Sequence, residues 1–329
     1  MSKGQQTHVI GWGIGLPTQI LTNETLESIV DTSSHWIQSR TGIEERRIVS
    51  NEESTYSLGL TAAKQALCQA GMLASDVEMI VVATSTGDYG FPAVANQIQY
   101  GIGADHAAAF DINTACTGFV SALSVADSLI RSGQHNNVLV VGAETMSRIV
   151  DWTDRSTCVL FGDGAGALLL QRSDKRGGIL SSVQWSDGAG APYLYVKNNS
   201  AVDPNGDTHI DRDNFIKMDG REVFKFAVRA MTEATIKTAT LADISIPEID
   251  VVVPQQANIR IIEAAARALA MPMDRFITNV DRYGNTSAAS IPIALYEAIE
   301  DGRIQSGMKI ILVAFGAGLS AGGIAIEWA

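Results

Sequence analysis

The strongest constraint on how this chain can fold is an internal duplication. In the first half, residues 58–70 carry helical periodicity and lead to the apolar run 76–84, which reads as a strand. In the second half, residues 226–241 lead in the same way to residues 248–255. The order then repeats. Segments 110–116 and 280–285 each open a helical stretch, 117–132 and 286–301, closed by Gly133 and Gly302. Each helix runs into a hydrophobic strand, 137–142 or 309–315. Gly302 follows Gly133 by 169 positions, and Asn285 follows Cys116 by the same 169. This register predicts that Asn285 holds in the second half the place that Cys116 holds in the first. Uninterrupted β-branched strands need cover on both faces, so the pattern predicts an α/β architecture of mostly parallel sheets between helices. The halves divide as residues 1–173 and 174–329. Equivalent turns of a duplicated fold meet at the junction, which brings Cys116 and the Asn285 amide into one predicted site. Taken alone, Asn285 reads equally well as a helix N-cap.

Cys116 stands in Asp111-Ile-Asn-Thr-Ala-Cys-Thr-Gly118, between a short apolar run and a helix whose stripe is Phe119, Val120, Leu123, Ala126, Leu129 and Ile130. A thiol there faces free backbone N–H groups and the positive end of a helix dipole, which favours the nucleophilic thiolate. The alternative is a small buried hydrophobe. Cys68 and Cys158 read as packing residues. Three cysteines without metal-ligand spacing do not make a disulfide framework, and they fit a cytoplasmic setting. The net charge of −12 argues against a nucleic-acid partner. Arg40, Arg46, Arg47, Arg155 and Arg260 are candidates for a local basic patch. No apolar stretch approaches the roughly 20 residues that span a membrane. The glycines of Gly11-Trp-Gly-Ile-Gly15 lack the spacing of a dinucleotide fingerprint. The acidic segment 203–213 lacks the glycine and glutamate of a calcium loop and reads as a solvated loop.

Four separated segments then point to one family. They are Asp111–Gly118 as written above, Asp154-Arg-Ser-Thr-Cys-Val-Leu-Phe-Gly-Asp-Gly-Ala-Gly166, Asn285-Thr-Ser-Ala-Ala-Ser290 and Phe315-Gly-Ala-Gly318. Together they resemble β-ketoacyl-ACP synthase III, a condensing enzyme of fatty-acid synthesis, nearly end to end. The resemblance implies a thiolase-like five-layered αβαβα fold made of two duplicated halves, and a homodimer. It implies that an acyl-CoA acylates Cys116 and that a malonyl thioester on acyl carrier protein then loses carbon dioxide and attacks the acyl group. No cofactor is implied; the CoA thioester is a substrate. The backbone N–H groups of Cys116 and Ala317 are the implied oxyanion hole. Trp36, Arg40 and Arg155 are the implied CoA-binding residues, Lys225 and Arg260 the implied carrier-protein docking residues. Phe91 resembles the residue that lines the partner subunit's acyl pocket; a core aromatic is the alternative.

One position departs from the family. Where its members carry Pro-His-Gln-Ala-Asn, this chain reads Pro254-Gln-Gln-Ala-Asn258, so Gln255 replaces the catalytic histidine and is paired with Asn285. No histidine follows His209. Glutamine can donate a hydrogen bond but cannot become cationic or move a proton near neutral pH. The expectation is that acylation of Cys116 survives better than condensation. Three readings stay open: an engineered substitution, a natural enzyme with an altered second step, or an amide that suffices. Rival functions are an acyltransferase that forms an ester or amide, and a non-catalytic partner of an active homologue.

Overall fold

Alternation along the strands divides the interior into layers. In the strand Met79–Ala83, Met79, Val81 and Ala83 point into a central core, while Ile80 and Val82 point into an outer one. In the strand Lys309–Gly316, Ile310, Leu312 and Ala314 join the same central core; Ile311, Val313 and Phe315 face a third. Each sheet is therefore buried on both faces. The computed structural model describes residues 6–197, 200–202, 208–210 and 214–329. Most of the acidic segment 203–213 lies outside the described residues.

The first sheet holds β1 (Gln6–Gly15), β2 (Met79–Ala83), β3 (Ala108–Ile112), β4 (Asn137–Thr145) and β5 (Asp163–Ser173), in the order β1-β5-β4-β2-β3. The second holds β6 (Gly178–Ser186), β7 (Val251–Pro254), β8 (Lys309–Gly316) and β9 (Ser320–Glu327), in the order β7-β8-β9-β6. Helices α1 (Thr55–Ala70) and α2 (Val94–Ile102) cover the outer face of the first sheet. Helix α3 (Gly118–Arg131) lies between the sheets, α4 (Gly220–Leu241) and α5 (Ile259–Ala268) cover the outer face of the second, and α6 (Ser290–Glu300) joins α3 in the middle. This is the five-layered thiolase-like arrangement.

The expectation of mostly parallel sheets needs correction. Only β3-β2-β4 and β7-β8 pair in parallel; β1, β5, β6 and β9 pair antiparallel. The cause is local at β8 and β9, where three residues separate the strands and allow nothing but a hairpin. The repeat also fails at one strand. β3 has no full counterpart: the second half keeps a single bridge, Val252 to Phe276, and residues Val280–Tyr283 are helical. The Gln256 side chain replaces the missing ladder. Its Nε2 donates to Ile277 O at 3.0 Å and its Oε1 accepts from Asn279 N at 3.0 Å.

Gly11, Gly13 and Gly15 serve packing. A Cβ on them would lie 2.3, 2.1 and 2.1 Å from the carbonyl oxygens of Ala66, Ala62 and Leu58, so their bareness lets α1 rest on β1. Two sequence expectations are overturned. Arg46 is fully buried, its guanidinium bonded to Leu21 O, Asn23 Oδ1 and Val159 O, and belongs to no surface patch. Cys68 is exposed on α1 rather than packed; Cys158 is buried. Among the described residues no helix is long and apolar enough to cross a membrane.

Candidate active site

The chain leaves β3 at Ile112 and turns through Ala115–Thr117 into α3, carrying Cys116 at the bend. Ala115 holds φ 48°, a left-handed conformation that costs a non-glycine residue energy and marks a constrained site. Asn113 steadies it by accepting from Ala115 N at 3.3 Å. The second half repeats the device: Asn285 Oδ1 accepts from Ser287 N at 2.9 Å, and Ser287 holds φ 49°. Ser287 follows Ala115 by 172 positions, not 169. The counterpart of Asn285 is therefore Asn113, and Cys116 corresponds to Ala288. The helix ends misled the register because α3 has 14 residues and α6 has 11, so the offset shifts by three along the helix. Asn285 is not an N-cap either: Ala289 takes that place in α6, with no side-chain cap. The two turns nevertheless meet, as the duplication predicts.

Cys116 is buried, and this reverses the expected thiolate. Burial pushes its thiol up to about 11, with the nearby Glu144 carboxylate raising it further and the Ser287 hydroxyl lowering it. The desolvation of an anion outweighs the short helix-terminal turn, and Cys116 rests as S–H.

Asn285 is held by the first half of the chain. Its N–H donates to Leu160 O at 2.8 Å and its carbonyl accepts from Gly162 N at 3.1 Å, so the Asp154–Gly166 segment is its backbone clamp. Its side-chain orientation follows from chemistry. Ser287 N can only donate, so the atom facing it is Asn285 Oδ1. The same oxygen faces Gln255 at 2.7 Å, which makes the Gln255 atom Nε2. Gln255 Oε1 is thereby left buried without a partner. With its oxygen taken twice, Asn285 keeps Nδ2 as the donor for a substrate.

The turn after β8 closes the other side. A Cβ on Gly316 would lie 2.9 Å from both Cys116 N and Cys116 Cβ, so only glycine lets this backbone reach the nucleophile. Ser320 Oγ donates to Ala317 O at 2.8 Å and lies 2.9 Å from Thr117 Oγ1, tying the Ala317 turn to the Cys116 turn.

Two residues at the centre escaped the sequence reading. Glu144, at the end of β4, is fully buried and accepts from Ser85 N at 3.0 Å and from Ser287 Oγ at 3.1 Å, and also from Thr86 Oγ1. Burial pushes its pKa up to about 7, although hydrogen bonds from Thr86, Ser85, Ser287 and Ala288 favour the carboxylate. A lone acid at the end of a strand as apolar as 138–143 was the available signal for Glu144. Ser287 stood within the Asn285–Ser290 segment but had no assigned role.

Comparison with known proteins decides the family. The family described as 3-oxoacyl-[acyl-carrier-protein (ACP)] synthase III matches residues 110–194, and its C-terminal companion matches residues 240–328. The beta-ketoacyl-[acyl-carrier-protein] synthase III of Roseiflexus sp. (strain RS-1) is 47% identical over 319 residues, covering 97% of both chains. The chain belongs to the β-ketoacyl-ACP synthase III family. The synthase of the same name from Bacillus pumilus is 48% identical over 320 residues, covering 97% of this chain and 98% of the relative. The crystal structure of 3-oxoacyl-[acyl-carrier-protein] synthase III from Aquifex aeolicus superposes with a TM-score of 0.91 at 44% identity, covering 99% of this chain and all of the other.

The other residues expected from synthase III chemistry lie at the surface. Trp36 and Arg40 are on the helix Ser34–Thr41, and Arg155 places its guanidinium 4.9 Å from the centre of the Trp36 ring. A planar base does not fit between groups already in contact. Arg155 is exposed and is tethered by a 2.9 Å bond to Asp31 O. Arg40 O accepts from Asn258 Nδ2 at 3.1 Å, linking this helix to the start of α5. Arg260 lies over the Phe224 ring at 6.0 Å; the adjacent Lys225 is exposed and paired with Glu222 at 2.7 Å. Phe91 is 90% exposed, which overturns the core-aromatic alternative.

Proposed function

We propose that Cys116 takes an acyl group from an acyl-CoA and passes it to the malonyl group of an acyl carrier protein with loss of carbon dioxide. The observation that carries this reading is that the Gly316–Ala317 turn and the Ser287–Ala289 turn, which follows the Gln255-bonded Asn285, both pack against the Cys116 turn. The thiol attacks the thioester carbonyl, CoA leaves as its thiol, and the covalent intermediate splits one hard step into two. The N–H groups of Cys116 and Ala317 receive the oxyanion; one such donor contributes about 10²–10³ in rate. Asn285 Nδ2 faces the thioester oxygen of the malonyl group as it becomes an enolate. Gln255 acts on that step by orienting Asn285 and supplies no charge, so condensation is the weaker half-reaction.

Trp36, Arg40 and a displaced Arg155 hold the CoA nucleotide. Lys225 and Arg260 receive the acidic carrier protein, which the net charge of −12 would otherwise repel. The exposed Phe91 suits a homodimer in which it enters the partner subunit's acyl pocket. Three free cysteines fit a cytoplasmic enzyme. A second reading has one observation in its favour: the orphan Gln255 Oε1 suits an alcohol or amine acceptor, which brings its own proton, better than an enolate. The test is intact-protein mass after mixing with a panel of acyl-CoAs, beside Cys116→Ser. An acyl gain lost in the variant supports the first half-reaction, and no gain with any donor refutes it. Release of carbon dioxide from malonyl carrier protein separates condensation from plain transfer.

A further inference from the structure

The buried thiol poses a chemical problem. Attack on a thioester requires the proton of Cys116 to leave, and Gln255, where a basic side chain would be expected, cannot take it. A chain of hydrogen bonds runs past the thiol: Gln255 donates to Asn285, Asn285 accepts from Ser287 N, and Ser287 Oγ donates to Glu144 Oε1. The turn that carries Ser287 packs on the turn that carries Cys116, and with its proton directed at Glu144 the Ser287 hydroxyl oxygen is left to face the Cys116 sulfur. Glu144 is fully buried, and every group bonded to it is a donor: Thr84, Ser85, Thr86, Ser287 and Ala288.

We infer that Glu144 is the proton acceptor for Cys116, reached through the Ser287 hydroxyl. The inference rests on the reading of Cys116 as the acyl acceptor. As the sulfur attacks, the Cys116–acyl C–S bond forms and the CoA C–S bond breaks. The thiol proton moves to Ser287 Oγ while the Ser287 hydroxyl proton moves to Glu144. The proton then leaves with the CoA sulfur as CoA–SH, and Glu144 returns to carboxylate. A carboxyl with a pKa near 7 is half ionised at neutral pH, where such a relay works best. The titratable group that faces Glu144 across this site is Cys116; the other neighbours, from the loop after β2 and the turn before α6, are hydroxyls and backbone amides.

The experiment follows two rates against pH in the full-length chain: single-turnover acylation of Cys116 by acyl-CoA, and alkylation of Cys116 by iodoacetamide, which reads the thiolate alone. In the wild type, acylation rises through an inflection near pH 7. In Glu144→Gln the inflection disappears and acylation near neutral pH falls about 10²-fold, within the usual range for a positioned acid or base. Alkylation is kept or quickened, because removing the buried negative charge lowers the thiol pKa. Ser287→Ala and Ser287→Gly, which remove the hydroxyl and leave the carboxyl in place, the glycine also suiting the φ of 49° at this position, lose the same inflection. These two variants decide the matter if Glu144→Gln does not fold. An unchanged acylation profile in Glu144→Gln or Ser287→Ala overturns the relay while leaving Cys116 as the acyl acceptor. Wild-type Cys116 that is alkylated but never acylated overturns both.

Discussion

Glu144 makes the stability of the folded chain depend on pH in a direction that can be worked out in advance. Its folded pKa of about 7 lies above the ordinary 4.5, so the native state prefers the protonated carboxyl. The stabilisation this gives is complete below about pH 4.5 and is lost as the pH rises through 7. A shift from 4.5 to about 7 corresponds to about 3 kcal/mol. Glu144→Gln removes that loss. It also makes an amide nitrogen face donors, and the rearrangement sets a baseline offset of its own. The dependence of the offset on pH is therefore the quantity to measure. Asp111 and Asp163, both raised by burial, are present in both proteins and cancel. Cys116, at about 11, titrates outside the window. Thermal unfolding from about pH 4.5 to about pH 8 should show the variant gaining on the wild type by roughly 6 °C, at about 2 °C per kcal/mol for a chain this long. A difference in melting temperature that stays constant with pH would refute a raised carboxyl at Glu144.

Three further outcomes are expected. Gly316→Ala forces a Cβ to 2.9 Å from Cys116 N; it should cost about 1–3 kcal/mol and slow Cys116 acylation at least tenfold, read by melting and by single-turnover mass. Gln255→His should leave acylation of Cys116 near its wild-type rate and raise carbon dioxide release from malonyl carrier protein by about 10²-fold, since a chargeable donor then faces the enolate. Trp36→Ala should raise KM for acyl-CoA about tenfold with alkylation of Cys116 unchanged, because it removes a stacking surface remote from the thiol.

Much of the architecture was legible because period and punctuation carry it. The apolar runs that became β2, β4, β7 and β8 announced doubly covered strands, and the glycines after α3 and α6 marked helix ends. Hairpin geometry was less visible: β9 pairs antiparallel because of a three-residue turn, and no pattern of hydrophobicity records that. The repeat pairs segment 280–285 with 110–116, yet Val280–Tyr283 is helical, and nothing local to it reveals that the Gln256 amide supplies the missing ladder bonds. At the site, Cys116, Gln255 and Asn285 were found from the segments they occupy. Their electrostatics were not, because desolvation is a property of the assembled layers. The turn around Cys116 suggested an anion; the surroundings that pack over it produce a thiol. Glu144 looked like a strand end until folding set Ser287 beside it.

The clamp on Asn285 has a mechanical consequence. Leu160 and Gly162 stitch its backbone to the first half of the chain, whereas Gln255 rides on the second sheet through its bond to Val313. Asn285 comes late in sequence yet travels with the nucleophile. Sliding of the two sheets past each other loads the 2.7 Å link to Gln255 together with the Thr117–Ser320 bond that ties the Cys116 turn to β9. The amide pair is thus one of the joints by which the late-sequence Asn285, clamped to the first half, stays fastened to the second sheet.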